Sequence, residues 1–261
     1  MNYDAFDHPS ITNLLFYPRK QDGPSLEGES VISISIEVDP KVAVSGRVFW
    51  SGNESPAILF FHGNGEIVTD YDDFGVVLKR MGITFMPVEY RGYGASGGAP
   101  TVSSMMRDCH AIYRYAHRWL ADRGHTGPFI VMGRSLGSAS AIELASTYQD
   151  EIHGLIIESG FAYVLPLLRL IGADPDRLGL REEGFSHLRK IASVRVPTLI
   201  IHARQDHIIP YTDGLALHEA SGASWKRIVT IEGADHNTIF MYGLHDYVAG
   251  MRELIRQIQE R

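Results

Sequence analysis

The chain has 261 residues, 44% of them apolar and 21% charged. That supplies one large domain with a real core and excludes a disordered chain. Lys and Arg number 24 against 31 Asp and Glu, and this evenly mixed charge of −7 argues against nucleic acid and anionic membrane as partners.

The start of the chain carries Asp4 and Asp7 and has no basic stretch leading into an apolar one, so no signal peptide is expected. No apolar run approaches the roughly 18 residues that span a bilayer. The single cysteine, Cys109, excludes an internal disulfide and a Cys-based zinc cluster. A reducing compartment is permitted, and a cytoplasmic location is the expectation.

Val31 to Val38 and Ser45 to Trp50 read as an antiparallel edge pair that turns at Asp39-Pro40. Ile58–Phe61 then opens a series of short, continuous apolar runs. Ile83–Val88 is its weakest member, and Phe129–Met132, Leu155–Ile157, Thr198–Ile201 and Ile228–Ile231 complete it. Such runs suit parallel strands buried on both faces. Helical stripes of apolar residues lie between them, from Val102 to Leu120 (Cys109 among them) and from Tyr247 to Ile258. The alternation predicts a single α/β domain over 1–261. Its sheet is mostly parallel and doubly wound, with an N-terminal antiparallel edge. Ligands then belong beyond the carboxyl ends of the strands.

The interval 159–195 breaks the rhythm. It has no strand pattern, yet it carries the apolar patch Val164–Leu168 with Leu170 and Ile171. We read a small helical cap excursion within the domain; a plain crossover helix with a long loop is the alternative.

Two G-x-S-x-G patterns occur, and their contexts differ. Gly133-Arg134-Ser135-Leu136-Gly137 follows the strand Phe129–Met132 and precedes a helical run from Ala139. That is the sharp strand-to-helix turn which exposes a nucleophile at a helix N-terminus. Gly94-Ala95-Ser96-Gly97-Gly98 has no strand immediately before it, so Ser96 reads as a loop residue. A serine hydroxyl needs a general base, and the base needs an orienting acid. Asp206 lies just past the strand Thr198–Ile201, and His236 just past Ile228–Ile231. The order Ser135, Asp206, His236 is the one such a fold requires. Glu158 rivals Asp206 as the acid because it too follows a strand. Asp235 is the weaker rival.

His62-Gly63-Asn64-Gly65 follows Ile58–Phe61, and its glycines let backbone N–H groups approach a substrate. The expected oxyanion donors are the N–H groups of Leu136 and Asn64, with Gly65 as the fallback donor and a substrate neighbour. Leu167 and Leu168 are expected to face an acyl group. No H-E-x-x-H pattern occurs, and neither metal nor cofactor is expected.

Five motifs in order, His62–Gly65, Tyr90-Arg-Gly-Tyr-Gly-Ala-Ser-Gly97, Gly133–Gly137, Asp206-His-Ile-Ile-Pro210 and Gly233-Ala-Asp-His-Asn237, resemble the α/β-hydrolase superfamily. More narrowly, they are similar to the small-capped serine hydrolases related to the ABHD depalmitoylases. The resemblance implies an α/β-hydrolase fold and hydrolysis of a small-molecule ester or thioester, less often an amide, through an acyl-enzyme. The Cys-rich N-terminal segment of the eukaryotic depalmitoylases is absent, so membrane attachment is not expected. An acyltransferase or lyase using the same triad is the enzymatic alternative. A non-catalytic binding protein on this fold is the alternative from another class.

Overall fold

The computed structural model describes residues 3–21, 31–181 and 184–260. Eight strands form one sheet: β1 (Ile32–Asp39), β2 (Val42–Val48), β3 (Ala57–Phe61), β4 (Thr84–Val88), β5 (Phe129–Arg134), β6 (Gly154–Glu158), β7 (Thr198–Ala203) and β8 (Lys226–Ile231). Their order is β1-β2-β4-β3-β5-β6-β7-β8. The first two pairings, β1 with β2 and β2 with β4, are antiparallel; those from β4 through β8 are parallel. The doubly wound sheet with an antiparallel N-terminal edge is therefore observed. The edge turn falls at Pro40-Lys41, where Lys41 takes a positive φ of 67°.

The central strands β3 to β7 have buried residues throughout, because helices cover both faces. One face packs against α3 (Val102–Ala121), α4 (Ser138–Thr147), α6 (His187–Ser193) and α7 (Tyr211–Ala220). The other packs against α2 (Asp72–Arg80) and α8 (Ile239–Gln259). The striped helix α3 buries Met105, Cys109, Ile112, Tyr113, Ala116 and Trp119, so Cys109 is a core residue.

The register brings Phe61, Gly133, Ile157, Ile200 and Ile228 into one row across five strands. The loops that follow these residues leave the sheet along one edge. An N-terminal helix, α1 (Pro9–Leu15), buries Ile11 and Leu15. Between β6 and β7 lie α5 (Val164–Leu170) and α6, the interval read as a cap excursion; Glu182 and Glu183 within it lie outside the described residues. Among the described residues, no helix is long and apolar enough to cross a membrane.

Candidate active site

Ser135 sits where β5 turns directly into a 3-10 turn, Ser135–Gly137, that runs on into α4. Its φ is +51°, a left-handed conformation that L-residues adopt only under constraint. The flanking glycines make the turn possible. A Cβ on Gly133 would stand 2.2 Å from the Gly137 carbonyl oxygen, and one on Gly137 would stand 2.1 Å from that of Phe61.

His236 Nε2 lies 3.1 Å from Ser135 Oγ, and His236 Nδ1 lies 2.7 Å from Asp206 Oδ2. An ionised carboxylate only accepts, so Nδ1 carries the proton and Nε2 is left to accept from the serine hydroxyl. Ser135 is half-buried, whereas Asp206 and His236 are buried. Burial opposes ionisation of Asp206. The hydrogen bond and charge of His236, together with the N–H of Ile209, outweigh it and hold the carboxyl below its ordinary value. Asp206 Oδ1 accepts the N–H groups of Ile208 and Ile209 at 3.0 and 2.8 Å, which fixes the carboxylate plane.

Glu158 does not touch His236. Its carboxylate accepts from Arg134 Nη1 and, at 2.6 Å, from the Tyr247 hydroxyl. Arg134 is buried and reaches three further partners, with Nε donating to Glu66 at 2.7 Å and Nη2 to the His236 carbonyl oxygen at 2.9 Å and to Asn237 Oδ1 at 3.4 Å. One guanidinium thus joins the elbow, the loop after β3, the end of β6 and the histidine loop. Nothing in the linear pattern marks Arg134 beyond its place inside the elbow. Asp235 is turned away and accepts from Asn237 N–H and the Thr238 hydroxyl, both at 2.9 Å.

Among the other histidines, His62 is buried with Nδ1 donating to the Gly63 carbonyl at 2.7 Å and Nε2 facing Glu89 at 3.0 Å. Burial disfavours its charged form, but the Glu89 carboxylate outweighs burial and raises it. His202 donates from Nε2 to the Ile209 carbonyl at 2.9 Å, and burial lowers it. His62 follows β3, whereas His202 lies within β7, with its Nε2 3.6 Å from Asp206 Oδ2. Ser96 is also buried, and its Oγ accepts the Ser45 N–H at 2.9 Å.

Leu136 lies in the first turn of the helical run, where backbone N–H groups lack an intrahelical acceptor. Asn64 is exposed at the head of the loop after β3, and Gly65 follows it at φ +75°. The two leucines expected at an acyl group separate. Leu167 lines a cavity of about 190 Å³ with Tyr163, Leu170, Ile208 and Asp213. Leu168 is fully buried in the core and does not line that cavity. A second, larger groove of about 460 Å³ lies between α2 and α8, lined by Phe74, Val77, Phe240 and Leu244 over Arg134. Among the described residues, no group of three or more His, Cys, Asp or Glu is gathered to hold a metal.

Residues 52–172 match the family model described as serine aminopeptidase, S33. The chain is 29% identical over 213 residues to Alpha/beta hydrolase domain-containing protein 17B of Homo sapiens, covering 79% of this chain and 68% of that protein. Its fold is similar to that of the Pyrococcus furiosus esterase Pf2001, with a TM-score of 0.70 at 18% identity over 91% of this chain and 99% of that one. The chain belongs to the α/β-hydrolase superfamily. It is related there to the ABHD group that its motifs resemble. Est1E of Butyrivibrio proteoclasticus, solved with ferulic acid bound, shares the fold with a TM-score of 0.67 at 18% identity, over 87% of this chain and 98% of that one.

Proposed function

We propose that this α/β hydrolase is a serine hydrolase that cleaves a carboxylic ester or thioester through an acyl-enzyme on Ser135. The observation that carries the reading is the unbroken hydrogen-bonded line Ser135–His236–Asp206 at 3.1 and 2.7 Å. His236 Nε2 takes the hydroxyl proton as Ser135 Oγ attacks the acyl carbonyl carbon. The N–H groups of Leu136 and Asn64 receive the oxyanion. Asp206 holds the Nδ1–H tautomer and offsets the imidazolium charge. The proton passes from Nε2 to the leaving oxygen or sulfur as its bond to the acyl carbon breaks. His236 then activates a water that attacks the acyl-enzyme and releases the acid. The half-exposed Ser135 leaves water a path, which favours hydrolysis over acyl transfer.

The apolar cavity beside Leu167, about 190 Å³, favours short to medium acyl groups over palmitoyl chains and over peptides. It lies below the ~300 Å³ at which drug-sized pockets begin. The test is a series of p-nitrophenyl esters from acetyl to palmitoyl, with a peptide anilide as comparison. Each methylene that fits adds up to about 0.8 kcal/mol, so kcat/KM should climb over the first few carbons and then level or fall. Intact mass should show one acyl group on Ser135 during turnover. Peptide cleavage without ester cleavage, or turnover with no acylated serine, contradicts the reading.

A further inference from the structure

The motif Tyr90–Gly97 has no part in the chemistry above, yet both its tyrosines end on the loop that carries Asn64. The Tyr90 hydroxyl donates to the His62 carbonyl at 2.7 Å. The Tyr93 hydroxyl donates to Asn64 Oδ1 at 2.7 Å and accepts the Tyr17 N–H at 2.9 Å. That same Tyr17 N–H also reaches Asn64 Oδ1 at 2.8 Å. The Asn64 side chain is therefore held from two sides although the residue is exposed.

Both posts are anchored by further contacts. The Tyr93 ring is fully buried, with its centroid 5.4 Å from His62 and 5.6 Å from Tyr90. Tyr17 belongs to a short strap sewn onto the same motif. Gly94 N–H donates to the Arg19 carbonyl at 2.8 Å, Lys20 Nζ donates to the Ser96 carbonyl at 3.1 Å, and Arg19 pairs with Asp70.

Asn64 stands between Gly63 and Gly65, so its own backbone has little intrinsic stiffness. An oxyanion donor must nevertheless be aimed before the charge develops. We propose that Tyr93 is a positioning residue for the oxyanion loop. It acts through the Asn64 side chain, with the N-terminal strap at Tyr17 as the second anchor, and so fixes the direction of the Asn64 backbone N–H. The proposal rests on the serine-hydrolase reading. It also makes the first strand of contacts after α1 part of the site, not a peripheral tail.

Tyr93→Phe keeps the ring and removes the hydroxyl. We expect kcat to fall about 10- to 100-fold with KM changed by no more than about 2-fold. An alkylboronic acid, which forms a tetrahedral adduct on the serine, should bind more weakly by the same factor as kcat. Fluorophosphonate labelling should still go to completion, since serine activation by His236 does not involve Tyr93. Asn64→Ala changes an exposed side chain, so its loss cannot be charged to misfolding, and because it removes both anchors it should lose at least as much as Tyr93→Phe. The double variant should lose no more than Asn64→Ala alone, because the Tyr93–Asn64 bond that both variants remove is already gone in it. Unchanged kcat and boronate affinity in both single variants, or losses that multiply in the double, would overturn the proposal. A wild-type chain that is neither labelled nor active would instead overturn the hydrolase reading on which it rests.

Discussion

Arg134 donates from Nη2 to the backbone carbonyl of His236 at 2.9 Å, so the residue before Ser135 holds the segment that carries its hydrogen-bond partner. The same guanidinium neutralises Glu66 and Glu158, and all three are largely buried. Lysine would keep the charge but lose the planar fork that reaches three directions at once. Arg134→Lys should therefore cost both stability and rate. Losing a hydrogen bond to a buried charged group costs about 1.5–3 kcal/mol, and kcat should fall at least about 10-fold. Thermal unfolding and ester turnover measure the two effects. Wild-type kcat in Arg134→Lys would mean that the carbonyl contact does not align the base.

Asp206 and Glu158 are separated by geometry. Asp206→Asn removes the counter-charge and the fixed tautomer at His236, and kcat should drop by about 10²–10⁴ with the fold intact. Glu158→Gln leaves His236 bonded to Asp206 but strips the Arg134 partner and weakens the Tyr247 contact. Its larger effect should be on the unfolding midpoint. If Glu158→Gln abolished turnover while Asp206→Asn spared it, the orienting acid would have to be reassigned.

Leu167 and Leu168 give a second contrast on one short helix. Leu168→Ala opens a hole in a fully buried core site and should destabilise by about 2–5 kcal/mol, reducing turnover of all chain lengths alike once unfolded protein accumulates. Leu167→Ala changes the wall of the 190 Å³ cavity and should alter the ratio of butanoyl to acetyl turnover with little loss of stability. An unchanged ratio would remove Leu167 from the acyl site.

His187 sets an acid limit on stability. Burial, reinforced by the charge of Lys190, lowers it from 6.5 to about 3. Its Nδ1 faces the Phe161 carbonyl at 2.8 Å, and Nε2 has no partner among the described residues. Between pH 6.5 and about 3 the unfolded chain binds a proton that the folded chain refuses, so stability rises with pH across this window. The contribution is full above pH 6.5 and is lost as pH falls toward about 3. The slope is about 1.4 kcal/mol per pH unit. His187→Gln should flatten denaturation midpoints measured from pH 7 to pH 4. An equally steep acid decline in the variant would assign the limit to other groups.

Each buried strand was readable because continuous apolar runs such as Leu155–Ile157 have few other places to go. Ser135, Asp206 and His236 could be singled out because each follows such a strand, and chain order limits their roles. The choice between Asp206 and Glu158 was not available along the chain, since both sit past strand ends and only the sheet register turns one toward His236. Helix α2 is hard to read because Gly75 interrupts it. That glycine answers a distant residue, as a Cβ there would stand 2.5 Å from the Phe49 ring. The patch Val164–Ile171 announced burial but not direction, and the fold divides it, with Leu168 buried in the core and Leu170 57% exposed. Arg134 and Tyr93 act through partners 102 and 29 residues away, at His236 and Asn64, and local pattern carries no trace of such pairs.

The central claim is that Ser135 is an activated nucleophile, and covalent labelling tests it most directly. Folded protein is treated with a fluorophosphonate and digested, and the adduct is located by peptide mass. The account predicts one adduct, on Ser135, formed in the wild type and in Ser96→Ala, lost in Ser135→Ala and strongly slowed in His236→Gln. A folded wild-type chain that stays unlabelled, or an adduct that persists in Ser135→Ala, would contradict it.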